Sequence, residues 1–120
     1  MALQTFDLIG AVRRDVAPLA DQFKRPITYL RISVTDRCNL RCIYCMPETG
    51  LQWISKRDIL SFEEIAQIVE AGASVGLRSV RLTGGEPLVR RDLPDLVRML
   101  AAIRGIDDIS LSTNGILLAE

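Results

Sequence analysis

From Thr28 onward the chain alternates between the hydrophobic period of a strand and that of a helix, and this alternation narrows the fold more than any other feature. Leu30, Ile32 and Val34 alternate with Tyr29, Arg31 and Ser33, which predicts a strand. Ser61-Phe62-Glu63-Glu64 has the form of a capping box and predicts a helix opening at Ser61. Phe62, Ile65, Ile68, Val69 and Gly72 fall on one face of that helix, with Gly76 just past its end. Val80-Arg81-Leu82-Thr83 is short, carries β-branched residues and is bounded by Gly84-Gly85, so it predicts a second strand. Asp92 then offers an N-cap, Pro94 is tolerated in the first turn, and Leu93, Leu96, Val97 and Leu100 line one face until Gly105. Asp108-Ile109-Ser110-Leu111-Ser112 predicts a third strand. Strand, helix, strand, helix, strand at these spacings favours right-handed crossovers and a parallel sheet, an α/β fold.

The residues with chemical potential gather where that order ends its strands. Cys38 to Cys45 follows the first strand, Gly84-Gly85-Glu86-Pro87 the second, and Ser112-Thr113-Asn114-Gly115 the third. The carboxyl edge of parallel strands is where α/β folds place their active sites. Between these landmarks, Met46-Pro47-Glu48-Thr49-Gly50 reads as a turn and the segment to Leu60 as a surface loop carrying Trp53. Residues 1–25 show no clean period and form an N-terminal arm, so 26–120 carry the organised part. No internal repeat or low-complexity segment is visible.

All 3 cysteines of the 120-residue chain fall in Cys38-Asn39-Leu40-Arg41-Cys42-Ile43-Tyr44-Cys45. Three thiolates so spaced can wrap one metal centre from a single loop. Zinc competes, but structural zinc draws its fourth ligand from another Cys or a His, and the chain has 0 His. An iron–sulfur cluster fits the ligand count and leaves one iron open to something else. Arg37 and Arg41 stand beside Cys38 and Cys42, where positive charge offsets that of a cluster; simple solvation is the alternative. Tyr44, between two of the cysteines, either lines the site or serves as packing.

Gly84 and Gly85 open backbone conformations closed to other residues and let a ligand approach the main chain, although a tight turn alone wants them too. Arg31 and Arg81 occupy matching places on the first two strands and suit phosphates through paired hydrogen bonds, or else lie on a solvent face. Arg90-Arg91-Asp92 reads as an exposed approach to a helix, without chemistry. Lys+Arg and Asp+Glu balance at 15 each, so no global field recruits nucleic acid or an anionic membrane. With 48% hydrophobic and 25% charged residues the composition is that of a soluble globular domain with one core. No apolar run approaches a bilayer span, and a reducing, cytoplasmic setting would keep the cysteines as thiols.

Cys38-x3-Cys42-x2-Cys45 with Gly84-Gly85-Glu86-Pro87 one unit later resembles the radical S-adenosylmethionine (SAM) superfamily. Within it, Leu30 to Pro47 and Arg81-Leu82-Thr83-Gly84-Gly85-Glu86-Pro87-Leu88 resemble the GTP 3′,8-cyclase family of molybdenum cofactor biosynthesis. The resemblance implies about half of a TIM-like partial (βα) barrel with a [4Fe-4S] cluster on Cys38, Cys42 and Cys45. It also implies SAM on the open iron and a 5′-deoxyadenosyl radical that takes a ribose hydrogen from GTP. Carried over by position, Tyr44, Gly84, Gly85, Glu86 and Pro87 match SAM contacts, and Arg31, Arg81 and Ser112 match GTP contacts; Ser112 keeps the hydroxyl of the Thr found in some relatives.

That family carries a second [4Fe-4S] cluster on three later cysteines, and nothing after Cys45 in this chain is a cysteine. The expectation is an N-terminal portion of a radical SAM lyase, inactive by itself, served by an electron donor for cluster reduction. An open sheet edge makes a homodimer possible. Two alternatives stay open: another radical SAM enzyme modifying a peptide or haem precursor, and a non-catalytic zinc or scaffold module.

Overall fold

The structure, a computed structural model, describes residues 17–119; most of the N-terminal arm lies outside the described residues. Strands β1 (Tyr29–Ser33), β2 (Ser79–Thr83) and β3 (Asp108–Leu111) form one parallel sheet in the order β1-β2-β3. Helix α1 (Phe62–Ser74) connects the first pair and α2 (Leu93–Ala101) the second. The α/β fold with parallel strands expected from the sequence is the fold observed, consistent with part of a TIM-like core. Among the described residues no helix is long and apolar enough to cross a membrane.

Register explains how the sheet sorts its side chains. Leu30 pairs with Val80 and Val80 with Ile109, Ile32 with Leu82 and Leu82 with Leu111, so the apolar rows share one face. The helices cover that face. Val80, Leu82, Ile65, Val69, Leu93, Leu96 and Leu100 join Val34 in a single core, with Leu30, Ile32, Phe62, Val97 and Ile109 packed around it. The intervening row, Arg31, Arg81 and Ser110, lies on the opposite face, and both arginines are exposed.

The capping box at α1 is formed on both sides: the Glu64 amide donates to Ser61 Oγ at 3.1 Å, and the Ser61 amide donates to the Glu64 carboxylate at 2.7 Å. Gly76 follows the helix at φ 108, a conformation that favours glycine. Three expectations are corrected. Ile68 is 50% exposed, because it lies at the edge of the stripe centred on the buried Ile65 and Val69. Asp92 stands at the N-cap of α2 but does not cap with its side chain; its own backbone is left-handed at φ 61. Finally α2 ends at Ala101, short of Gly105, because the Ala102 and Ile103 amides turn back onto the Arg98 and Leu100 carbonyls.

The described end of the arm is ordered by Asp21, whose Oδ1 accepts from the Phe23 and Arg25 amides while Lys24 takes φ 62. The Leu19 amide donates to the Val75 carbonyl, tying this turn to the end of α1.

Candidate functional site

Beyond Ser33 the first strand continues alongside the second in an irregular ladder. The Val34 amide donates to Thr83 O, the Gly85 amide to Thr35 O and the Glu86 amide to Arg37 O, each at 2.8 Å. The two main chains therefore touch just before the cysteines begin. A Cβ on Gly84 would lie 2.5 Å from the Thr35 carbonyl oxygen, and one on Gly85 would overlap the Arg37 carbonyl. Neither glycine has a positive φ, so the requirement is close approach and the expected special backbone conformation is absent.

Glu86 ties the second strand end to the third. It is 2% exposed, and its carboxylate accepts from the Thr113 hydroxyl at 2.6 Å, the Asn114 amide at 2.8 Å and the Leu88 amide at 3.1 Å. Burial alone would push its pKa up, but those hydrogen bonds outweigh it and hold the carboxyl below its ordinary value. Pro87, also buried, starts the one-turn 3₁₀ helix Pro87–Val89 that Glu86 caps. The Asn114 side-chain amide then donates to Asn39 Oδ1 at 2.9 Å, closing the circuit back to the cysteine loop. All three strand-end segments named by the sequence thus form one connected edge.

Within the cysteine loop, the Cys45 and Met46 amides both donate to the Cys42 carbonyl, and the Leu40 amide lies 3.5 Å from Cys38 Sγ. All three thiols are free; Cys38 and Cys42 are half-buried and Cys45 exposed. Among the described residues no three His, Cys, Asp or Glu side chains are gathered closely enough to hold a metal ion. The loop nevertheless fits a thiolate-held group by donor type: three free thiols on one short segment, with no carboxylate between them. Tyr44 is 94% exposed, which excludes the packing role weighed for it.

Two contributors escaped sequence reasoning. The Trp53 ring has the guanidinium carbons of Arg37 and Arg41 at 4.6 and 5.3 Å from its centroid, so the loop after the cysteines folds back on the arginines that flank them. The Ile54 amide donates to Asp36 at 2.6 Å and secures the same return. Arg90, expected to be exposed, is half-buried: it donates to the Val34 and Leu60 carbonyls at 2.7 Å each and lies 4.4 Å from the centre of the Phe62 ring. Burial pushes its pKa down from its ordinary value. The adjacent aromatic at 62 was the available signal for Arg90, but pairing across 28 residues is not written in local pattern.

Arg31 and Arg81 face each other in register on the uncovered side of the sheet, where the Arg81 Nε donates to Ser110 Oγ at 3.0 Å. Ser112 continues this side beyond β3, its amide donating to the Leu82 carbonyl at 2.9 Å. The structure therefore brings Arg31, Arg81 and Ser112 to one side, and Gly84, Gly85, Glu86 and Pro87 to the edge shared with the cysteines.

The Radical SAM superfamily model matches residues 32–120. The GTP 3′,8-cyclase of Pelotomaculum thermopropionicum is 58% identical over 100 residues, covering 83% of this chain and 31% of that protein. That of Moorella thermoacetica is 57% identical over 100 residues with the same shares, 83% and 31%. The GTP 3′,8-cyclase of Desulforamulus reducens is 53% identical over 102 residues, covering 85% of this chain and 31% of that protein. The chain thus spans a little under a third of the length of these curated relatives. With the matched region running from the first strand through all three strand-end segments, the chain belongs to the Radical SAM superfamily.

Proposed function

We propose that this chain forms the cluster- and SAM-binding part of a GTP 3′,8-cyclase, the enzyme that opens molybdenum cofactor biosynthesis. The single observation that carries the reading is the connected edge: the cysteine loop, Gly84-Gly85-Glu86-Pro87 and Thr113-Asn114 are hydrogen-bonded into one unit. Identity of 51–58% to relatives named GTP 3′,8-cyclase across that edge supports the substrate.

In this reading Cys38, Cys42 and Cys45 hold a [4Fe-4S] cluster through three thiolates. When bound, that group supplies one electron to SAM, whose C5′–S bond breaks to give methionine and a 5′-deoxyadenosyl radical. The remaining work belongs to the chain. Gly84 and Gly85 keep side chains out of the place where their own backbone passes the end of β1, so the edge stays thin enough for an amino-acid moiety to lie along it. Glu86, buried and bonded to Thr113, Asn114 and Leu88, positions the edge. Exposed Tyr44 is free to turn over a bound cofactor. Arg31 and Arg81, side by side on the uncovered face, take the phosphates of GTP, with Ser112 placed for a hydroxyl contact.

The reduced, reconstituted chain supplied with SAM is expected to release 5′-deoxyadenosine. Intact SAM after reduction of a verified cluster would count against the reading. For the substrate, GTP should protect Arg81 from guanidinium-directed labelling, and Arg31→Ala should weaken that protection. Equal labelling with and without GTP would remove GTP from the proposal and leave the SAM chemistry untouched.

A further inference from the structure

Away from the uncovered face, a cavity of about 700 Å³ lies between the 51–60 loop, the end of β1 and the turn into α2. That volume falls within the range of small-molecule sites. Arg37, Lys56, Arg90 and Arg91 line it, and no carboxylate does. Its apolar walls are Val34, Ile59 and Val89.

The four cations differ in how they are held. Arg90 is fixed by the Val34 and Leu60 carbonyls and the Phe62 ring, and Arg37 by stacking on Trp53 and by an ion pair with Asp36 at 3.6 Å. Lys56 and Arg91 are exposed and have no hydrogen-bond or ion-pair partner among the described residues. Two nearby carboxylates, Asp36 and Asp58, line an adjoining cavity of about 240 Å³ instead. Asp36 there accepts from the Ile54 amide. Two anchored guanidiniums and two uncommitted cations around one apolar-walled space make a site for a small organic anion carrying phosphate. Phosphate groups suit the fork geometry of Arg and the point charge of Lys.

We infer that this cavity binds a small organic phosphate, with its phosphates on Lys56, Arg90 and Arg91 and its body against Val34, Ile59 and Val89. The site shares no residue with the Arg31, Arg81 and Ser112 face, and Val34 belongs to the core on the helix-covered side. It is therefore separate from the substrate site proposed above and does not depend on it.

The test uses ATP as probe, titrated into the full chain by calorimetry, with the fluorescence of Trp53, the 1 tryptophan of the sequence, as a second readout through Arg37. Two double variants are compared, Lys56→Ala with Arg91→Ala and Arg31→Ala with Arg81→Ala. Because Lys56 and Arg91 are exposed and unpaired, the first pair should keep the parent's urea midpoint. The expected result is a saturable binding event that the Lys56/Arg91 pair weakens by about tenfold or more and the Arg31/Arg81 pair leaves in place. No saturable binding, or binding events that all survive the Lys56/Arg91 pair with less than about a tenfold loss, would overturn the inference.

Discussion

Glu86 shows how much one buried side chain can decide. Glu86→Ala would leave the Thr113 hydroxyl and the Asn114 and Leu88 amides without their acceptor, at a cost of about 3 kcal/mol in urea unfolding. Its pH dependence follows from its lowered pKa. A carboxyl whose folded pKa lies below its ordinary 4.5 stabilises the fold above that value, and the contribution is lost as pH falls through the folded pKa. Stability of the parent should therefore drop on acidification more steeply than that of Glu86→Gln; parallel curves would show that the carboxylate is not the group responsible. Gly85→Ala should cost about 1–3 kcal/mol, because the backbone carbonyl of Arg37 cannot rotate away as a side chain would. The sequence marks both residues as special, yet local pattern reads Gly85 only as a turn or a place of close approach, and Glu86 enters only through the family resemblance. Their actual partners, Thr113, Asn114 and Arg37, come from distant strand ends that only the folded sheet brings together.

At the level of elements, the helices and strands were legible because each one carries its own signal. The Ser61 capping box and the apolar stripe of α1 are local facts, and Ser61→Ala should lower stability by about 1 kcal/mol, read from the urea midpoint. The α2 boundaries were less legible. Asp92 has the composition of a cap, but its left-handed backbone turns the side chain away from that task, and Gly105 ends the following turn after the helix has stopped. The 51–60 segment was legible only as loop. Its fixing points are non-local: Trp53 against Arg37 and Arg41, Ile54 on Asp36, and Leu60 on Arg90. Removing the Arg90 guanidinium in Arg90→Ala strips two backbone carbonyls of their donors and the Phe62 ring of its cover, and should cost about 2 kcal/mol. An unchanged midpoint would mean that Trp53 and the Ile54–Asp36 bond hold the loop without Arg90.

For the molecule as a whole, one face of the sheet is covered by helices and the other carries Arg31 and Arg81 in the open, while among the described residues the outer edges of β1 and β3 are unpaired. Exposed parallel edges invite pairing between copies, so sedimentation should detect self-association at raised concentration, and a strictly monomeric chain would contradict this. The open face of Arg31 and Arg81, which we propose takes GTP, also leads us to expect no cyclised nucleotide from this chain by itself. The central claim remains that the cysteine loop, joined through Asn39, Arg37 and Glu86 to the other strand ends, holds a [4Fe-4S] cluster. Anaerobic reconstitution with iron and sulfide, followed by optical and electron paramagnetic resonance spectroscopy, tests it most directly. The account predicts an iron–sulfur spectrum that changes when SAM is added to the reduced protein and disappears in Cys38→Ala, Cys42→Ala and Cys45→Ala. A colourless protein with all its thiols still titratable, or a spectrum that survives those substitutions, would contradict it.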